Sequence, residues 1–152
     1  MIRILASDGL DKAAVAALEK SGYEVVQQFY EEEELKQKVK EFDVLVVRSA
    51  TKVRESVIDS ACEAGRLKLI IRGGVGMDNI DVEYARGKGI TVSNTPTASS
   101  ASVAELAIGH MFCLARFLYI SNVTMREGKW EKKAYKGTEL AGKTLGLIGM
   151  GS

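Results

Sequence analysis

Two arginines stand where apolar, strand-like runs end. Residues 67–71 are apolar apart from one lysine and lead into Arg72-Gly73-Gly74-Val75-Gly76. The β-branched run 43–47 leads into Arg48-Ser49-Ala50-Thr51-Lys52. A guanidinium carries a fixed charge and a planar fork that matches carboxylate or phosphate. Glycine accepts φ > 0 and lets other groups come close to the backbone. A loop of such residues turns its N–H groups outward as a nest for an anion. In open α/β sheets, ligands lie beyond the carboxyl ends of the strands. Arg48, Ser49, Arg72, Gly74, Val75 and Gly76 are therefore candidate binding residues for a small anionic substrate. The glycines alone also fit a sharp strand-to-helix turn, and the arginines alone fit solvated loops. Two guanidiniums converging on one rim favour the ligand over either.

The remaining reactive groups offer less. Cys62 and Cys113 form neither a disulfide framework nor a metal spacing, and with His110 as the only histidine a zinc site is not expected. His110 falls inside a long apolar helix and reads as a structural or interface residue rather than a base. The acidic run 31–34 is followed by Lys36, Lys38 and Lys40, an order that suits the helix macrodipole and not a metal. The chain closes on 144–149, an apolar strand entering Gly149-Met150-Gly151-Ser152. A strand running into Gly-x-Gly is how a dinucleotide-binding unit begins. The third glycine, the following helix and the distal acidic residue lie outside these 152 residues.

The elements that would position these groups alternate. Strands are expected at 2–6, 23–29, 43–47, 67–71 and 90–93, with helices at 8–21, from 31, at 54–64 and at 81–86. Gly22 and Gly65 close two of the helices. Alternation of this kind implies a parallel, doubly wound sheet with right-handed crossovers. After Asn94-Thr95-Pro96 the pattern changes. One helix is expected over 98–125, opened by Ser102-Val103-Ala104-Glu105 as a capping box. Its apolar residues cover nearly its whole circumference, so it needs a second domain or a second chain. With 46% hydrophobic and 27% charged residues and a net charge of +1, nothing favours nucleic acid or a membrane surface. A cytoplasmic, reduced protein is expected.

In this order the motifs resemble the D-2-hydroxyacid dehydrogenases, and within them the branch acting on 3-phosphoglycerate. The matching residues are Val47-Arg48-Ser49-Ala50-Thr51-Lys52-Val53, Arg72 through Asp81, Asn94-Thr95-Pro96, Ser102-Val103-Ala104-Glu105-Leu106, Gly128-Lys129-Trp130 and Gly142-Lys143-Thr144-Leu145-Gly146. The resemblance implies a flavodoxin-like substrate-binding domain over 1–95. It implies the start of a Rossmann NAD-binding domain over 96–152, comprising a long helix that serves as crossover and dimer interface, and a first strand. Gly74, Val75 and Gly76 would hold the substrate carboxylate, with Val75 also against the nicotinamide. Arg48 and Arg72 match positions near the substrate phosphate. Lys132 or Lys133 resembles a basic segment that reaches a partner subunit's site. Ser102 matches a position near the cofactor cleft, and Gly149, Gly151 and Ser152 one near the pyrophosphate. Ser152 stands where arginine is common. The family's catalytic arginine, glutamate and histidine belong to a second half, and His110 is not that histidine. The chain alone is thus expected to be an inactive N-terminal half of an NAD-dependent enzyme. A non-catalytic, self-associating fragment or a free flavodoxin-like binding domain are the other readings.

Overall fold

The computed structural model describes residues 1–149, and Met150, Gly151 and Ser152 lie outside the description. The chain divides into two compact units, Met1–Ala98 and Ser99–Ser152.

The first unit is built from β1 (Arg3–Ala6), α1 (Lys12–Lys20), β2 (Glu24–Gln27), α2 (Glu32–Lys38), β3 (Val44–Val47), α3 (Glu55–Ala64), β4 (Leu69–Arg72), α4 (Val82–Gly87) and β5 (Thr91–Asn94). The strands form one sheet of order β2-β1-β3-β4-β5 with every pairing parallel. This is the flavodoxin-like order, whose direction of winding reverses between β1 and β3. Each strand is one short apolar run, as suits a parallel strand flanked by helices.

One face of the sheet carries the larger core. Leu5, Leu45, Val47, Ile70 and Val92 pack with Leu35, Val57, Ile58, Ala61 and Ala85 from α2, α3 and α4. The other face pairs Ile4, Ala6 and Val46 with Leu10 and Leu18, beside α1. Toward β5 that second face turns polar, with Thr91 and Ser93 exposed on either side of buried Val92. Helix ends follow their local chemistry. Asp11 caps α1 by accepting from the Ala13 N–H at 2.8 Å. Gly22, at φ 87°, closes it with paired bonds from Gly22 N–H to the Glu19 carbonyl and from Tyr23 N–H to the Leu18 carbonyl. The acidic run opens α2 and its lysines close it, as the sequence predicts.

The second unit departs from expectation in three ways. The single helix of 98–125 is two helices, α5 (Ser100–Ala115) and α6 (Leu118–Arg126), set 60° apart. Phe117 between them takes φ 54°, which a right-handed helix cannot continue through. Its ring meets Tyr135 at 5.9 Å, and the Thr138 N–H takes the freed Ala115 carbonyl at 2.8 Å. These contacts offset a backbone cost of roughly 1 kcal/mol. Second, α5 begins before Ser102, so that hydroxyl lies on the helix and not at its cap, and no side chain caps the helix. Third, 144–149 forms no strand among the described residues, because no neighbouring strand offers it hydrogen bonds. No α5 residue is buried; Val103, Leu106, Ile108, Phe112 and Leu114 are all exposed. No single described helix is long and apolar enough to cross a membrane, although α5 and α6 taken jointly reach that length across their 60° bend.

Candidate functional site

Sheet register decides what shares the carboxyl rim. Arg72 pairs with Val47 on one side and with Asn94 on the other. Residues 48, 73 and 95 therefore leave the sheet side by side. The Gly73 N–H donates to the Val47 carbonyl at 2.8 Å, and the Gly74 N–H folds back on the Arg72 carbonyl at 2.9 Å. From β5, the Thr95 N–H donates to the Gly74 carbonyl at 3.0 Å and Asn94 Nδ2 to the Val75 carbonyl at 2.7 Å. The carbonyls of Gly74 and Val75 are thus engaged by the end of β5. Among the described residues, the N–H groups of Val75 and Gly76 meet no acceptor. The anion nest is narrower than the sequence suggests, since Gly74 spends its own N–H within the turn.

The two arginines lie against consecutive glycines. Arg48 Cγ is 3.5 Å from where a Cβ on Gly73 would stand. The Arg72 guanidinium occupies the space a side chain on Gly74 would need. A Cβ there would fall on Nη1, 2.5 Å from Cζ and 3.3 Å from Nε. Gly74 has φ +153°, so both conformation and space require glycine. Arg72 Nε is buried and has no hydrogen-bond partner among the described residues. Buried donors of this kind are ordinarily satisfied. Neither Arg48 nor Arg72 joins an ion pair among the described residues. Arg54 is by contrast committed, with Nη1 donating to Asp81 Oδ1 at 2.9 Å and to the Asp78 carbonyl at 3.1 Å. Ser49 and Val75 are exposed at the same rim.

Sequence reasoning missed two residues here. Asp8, just past β1, accepts from the Arg48 N–H at 2.6 Å and from the Thr51 hydroxyl at 2.6 Å. Burial alone would raise its carboxyl. The hydrogen bonds from the Thr51 hydroxyl and from the N–H groups of Arg48, Thr51 and Ala50 outweigh that, and hold it below the usual carboxylate range. Asn79, buried, donates Nδ2 to the carbonyls of Arg48 and Thr51, both at 2.8 Å. An acidic residue immediately after β1 was the one available signal for Asp8. A cavity of about 270 Å³ lined by Tyr30, Leu35, Thr51 and Lys52 opens beside this segment. The unsatisfied donors belong to the glycine loop and not to that cavity, so the loop is the better candidate site.

The other predicted residues lie in the second unit. Lys132 is exposed beside Lys129 and Trp130, which with Arg116 and Tyr135 line a cavity of about 220 Å³. Ser102 and His110 are exposed on α5, and Gly149 lies in irregular chain at φ 89°. Gly151 and Ser152 lie outside the described residues.

Residues 4–146 match the family profile described as D-isomer specific 2-hydroxyacid dehydrogenase, catalytic domain. A hydroxypyruvate reductase of Thermotoga maritima is 54% identical over 152 residues, which cover 99% of this chain and 48% of that protein. A D-3-phosphoglycerate dehydrogenase of Methanocaldococcus jannaschii is 50% identical over 151 residues, covering 99% of this chain and 28% of that protein. Among solved structures, the TT0316 protein of Thermus thermophilus superposes with a TM-score of 0.80 at 28% identity, over 91% of this chain and 46% of that one. The NAD+-bound 3-phosphoglycerate dehydrogenase of Entamoeba histolytica gives 0.63 at 33% identity, over 76% and 39%. The chain spans about half the length, or less, of the relatives it matches.

Proposed function

The chain belongs to the D-isomer specific 2-hydroxyacid dehydrogenase family, and from that premise we propose that it supplies the substrate-binding part of an NAD-dependent oxidoreductase interconverting a small anionic 2-hydroxy acid and its 2-keto acid. The observation that carries this reading is Arg72. Its buried Nε lacks an acceptor among the described residues, its head is seated on Gly74, and the free N–H groups of Val75 and Gly76 follow. A carboxylate at this loop would accept from the Val75 and Gly76 N–H groups and pair with the Arg72 guanidinium beside them. Arg48, one strand away, would meet a second anionic group, which favours 3-phosphoglycerate, the entry to serine biosynthesis. Lys132, contributed by a second copy, is proposed as a further cation for that group. The likeness to a hydroxypyruvate reductase supports a second reading, in which the substrate carries no phosphate and Arg48 faces solvent.

NAD enters from the family. The described residues do not by themselves form a dinucleotide cradle. No strand pairs with 144–149, and a Cβ on Gly149 would meet nothing within 4 Å. Domain 96–152 is proposed as the beginning of the cofactor-binding domain, with Ser102, Gly149, Gly151 and Ser152 toward NAD and Val75 against its nicotinamide. The exposed apolar residues of α5 are proposed to pair two copies. The free thiols of Cys62 and Cys113 fit a reducing cytoplasm. The family's proton-transferring residues are not expected among these 152, so the chain alone should bind and not turn over.

The test is a titration of the 15N-labelled chain with 3-phosphoglycerate, hydroxypyruvate and D-glycerate. Saturable shifts at Val75, Gly76 and the Arg72 Nε–H are expected with a 2-hydroxy or 2-keto acid. A phosphate preference abolished by Arg48→Ala selects the first reading over the second. Unchanged spectra with all three acids, or NAD-linked oxidation by the chain alone, would overturn the proposal.

A further inference from the structure

The segment that carries Arg48 is held from two sides by polar side chains. β1 and β3 flank the point where the strand order reverses, and Asp8 leaves β1 there. Its Oδ2 accepts from the N–H groups of Arg48 at 2.6 Å and Thr51 at 3.2 Å, while Oδ1 accepts from the Thr51 hydroxyl at 2.6 Å. From the β4 side, Asn79 takes the carbonyls of the same two residues, both at 2.8 Å. The Val53 N–H in turn donates to the Asn79 carbonyl at 2.8 Å. One carboxylate thus takes the N–H groups of Arg48 and Thr51 while one amide takes their carbonyls. They join the exits of three strands.

We propose that Asp8 is a positioning residue for substrate binding. With Thr51 and Asn79 it sets the Arg48 segment at a fixed distance from the Val75 and Gly76 N–H groups, so that one acid meets both. This role rests on the substrate-binding reading above. The sign of the charge sharpens it. A carboxylate at the mouth of an anion site repels the ligand, so by Coulomb's law its removal should tighten binding. If Asp8 works by holding Arg48 in place, its removal should weaken binding instead.

The experiment measures D-3-phosphoglycerate affinity of the full 152-residue chain by NMR for wild type, Asp8→Asn, Thr51→Val and Thr51→Ser. In parallel, ligand-free hydrogen exchange is followed at the Arg48 and Thr51 amides. Asp8→Asn and Thr51→Val should each weaken binding about tenfold, which is ~1.4 kcal/mol. Thr51→Ser, which keeps the hydroxyl, should stay within about twofold of wild type. Exchange at both amides should quicken in Asp8→Asn. Should Asp8→Asn fail to fold, the two Thr51 variants carry the test. Equal or tighter binding by Asp8→Asn, or no rescue by Thr51→Ser, overturns the positioning role while the substrate reading stands. If wild type binds no acid, the substrate reading fails and the positioning role with it; protection at Arg48 and Thr51 would then mark a purely structural clamp.

Discussion

Gly74→Ala separates folding from binding at the glycine loop. An added Cβ would fall on Arg72 Nη1 and sit 2.5 Å from Cζ. The obstructing atoms are the far end of a flexible side chain, so the guanidinium moves before the backbone does. For stability, two effects oppose each other. Alanine restricts the unfolded chain, a gain of roughly 0.4–1 kcal/mol, while a sparsely populated φ costs roughly 1–3 kcal/mol. The net loss is about 1 kcal/mol, small against the 5–15 kcal/mol typical of a domain. For binding, a displaced Arg72 forfeits a charge-assisted hydrogen bond worth roughly 1.5–3 kcal/mol. That is a loss of about tenfold to a hundredfold in affinity. Urea denaturation reads the first quantity, and titration with 3-phosphoglycerate reads the second. The double variant with Arg72→Ala closes the cycle, because an effect that runs through Arg72 vanishes once Arg72 is gone. Wild-type affinity in Gly74→Ala, or equal effects of the alanine with and without Arg72, would refute the reasoning.

Asn79→Ala removes two donors from the carbonyls of Arg48 and Thr51 and should lower the stability of the first unit by about 2 kcal/mol, seen as a lower urea midpoint at unchanged slope. Asp43 is gripped by the Arg66 fork at 3.1 and 3.0 Å and by the Arg3 N–H at 2.7 Å, which hold its carboxyl below the usual range. A depressed carboxyl adds stability that is present above its unfolded value near 4 and lost as pH falls through the lower folded value. Asp43→Asn should therefore flatten the acid limb of stability below about pH 4 and leave the slope above about pH 6 unchanged, as followed by thermal melts across pH. Leu114, on α5, is 79% exposed and so adds little to the packing of its own unit. Leu114→Lys should convert a dimer to a monomer in light scattering and remove the protein-concentration dependence of the urea midpoint; a wild-type chain that is already monomeric counts against pairing through α5.

The sheet was legible because its strands are continuous apolar runs and its helices carry their own punctuation. Each expected strand of the first unit matches an observed one to within about two residues, the usual scatter of element ends. Gly22 and Gly65 stop helices where the sequence says they must. The second unit was harder to read, since its decisive features are not local. Phe117 is no helix breaker by type; where the helix breaks, its ring meets Tyr135, well beyond the end of α6. The run 144–149 has the composition of a strand and, among the described residues, no neighbour to pair with, and a strand is defined by its neighbour.

The site divides along the same line. A strand terminus presents the next residue at the rim by position alone, so Arg48 and Arg72 could be picked out from one segment each. The residues that hold them could not. Asp8 reaches Arg48 across 40 positions of sequence and Asn79 reaches it across 31. Both contacts depend on which strands are neighbours and in what register. Without the order β2-β1-β3, Asp8 is one more polar residue in a loop; with it, Asp8 stands at the reversal point opposite the exit of β3. Arg48 or Arg72 replaced by lysine on this frame would keep its charge and lose its fork. An altered Asp8 would keep both arginines and lose the spacing between Arg48 and the Val75 and Gly76 amides. The two kinds of change are therefore distinguishable in binding data: the first weakens phosphate and carboxylate ligands alike, whereas the second weakens most the ligands that must bridge Arg48 and the Val75–Gly76 amides at once.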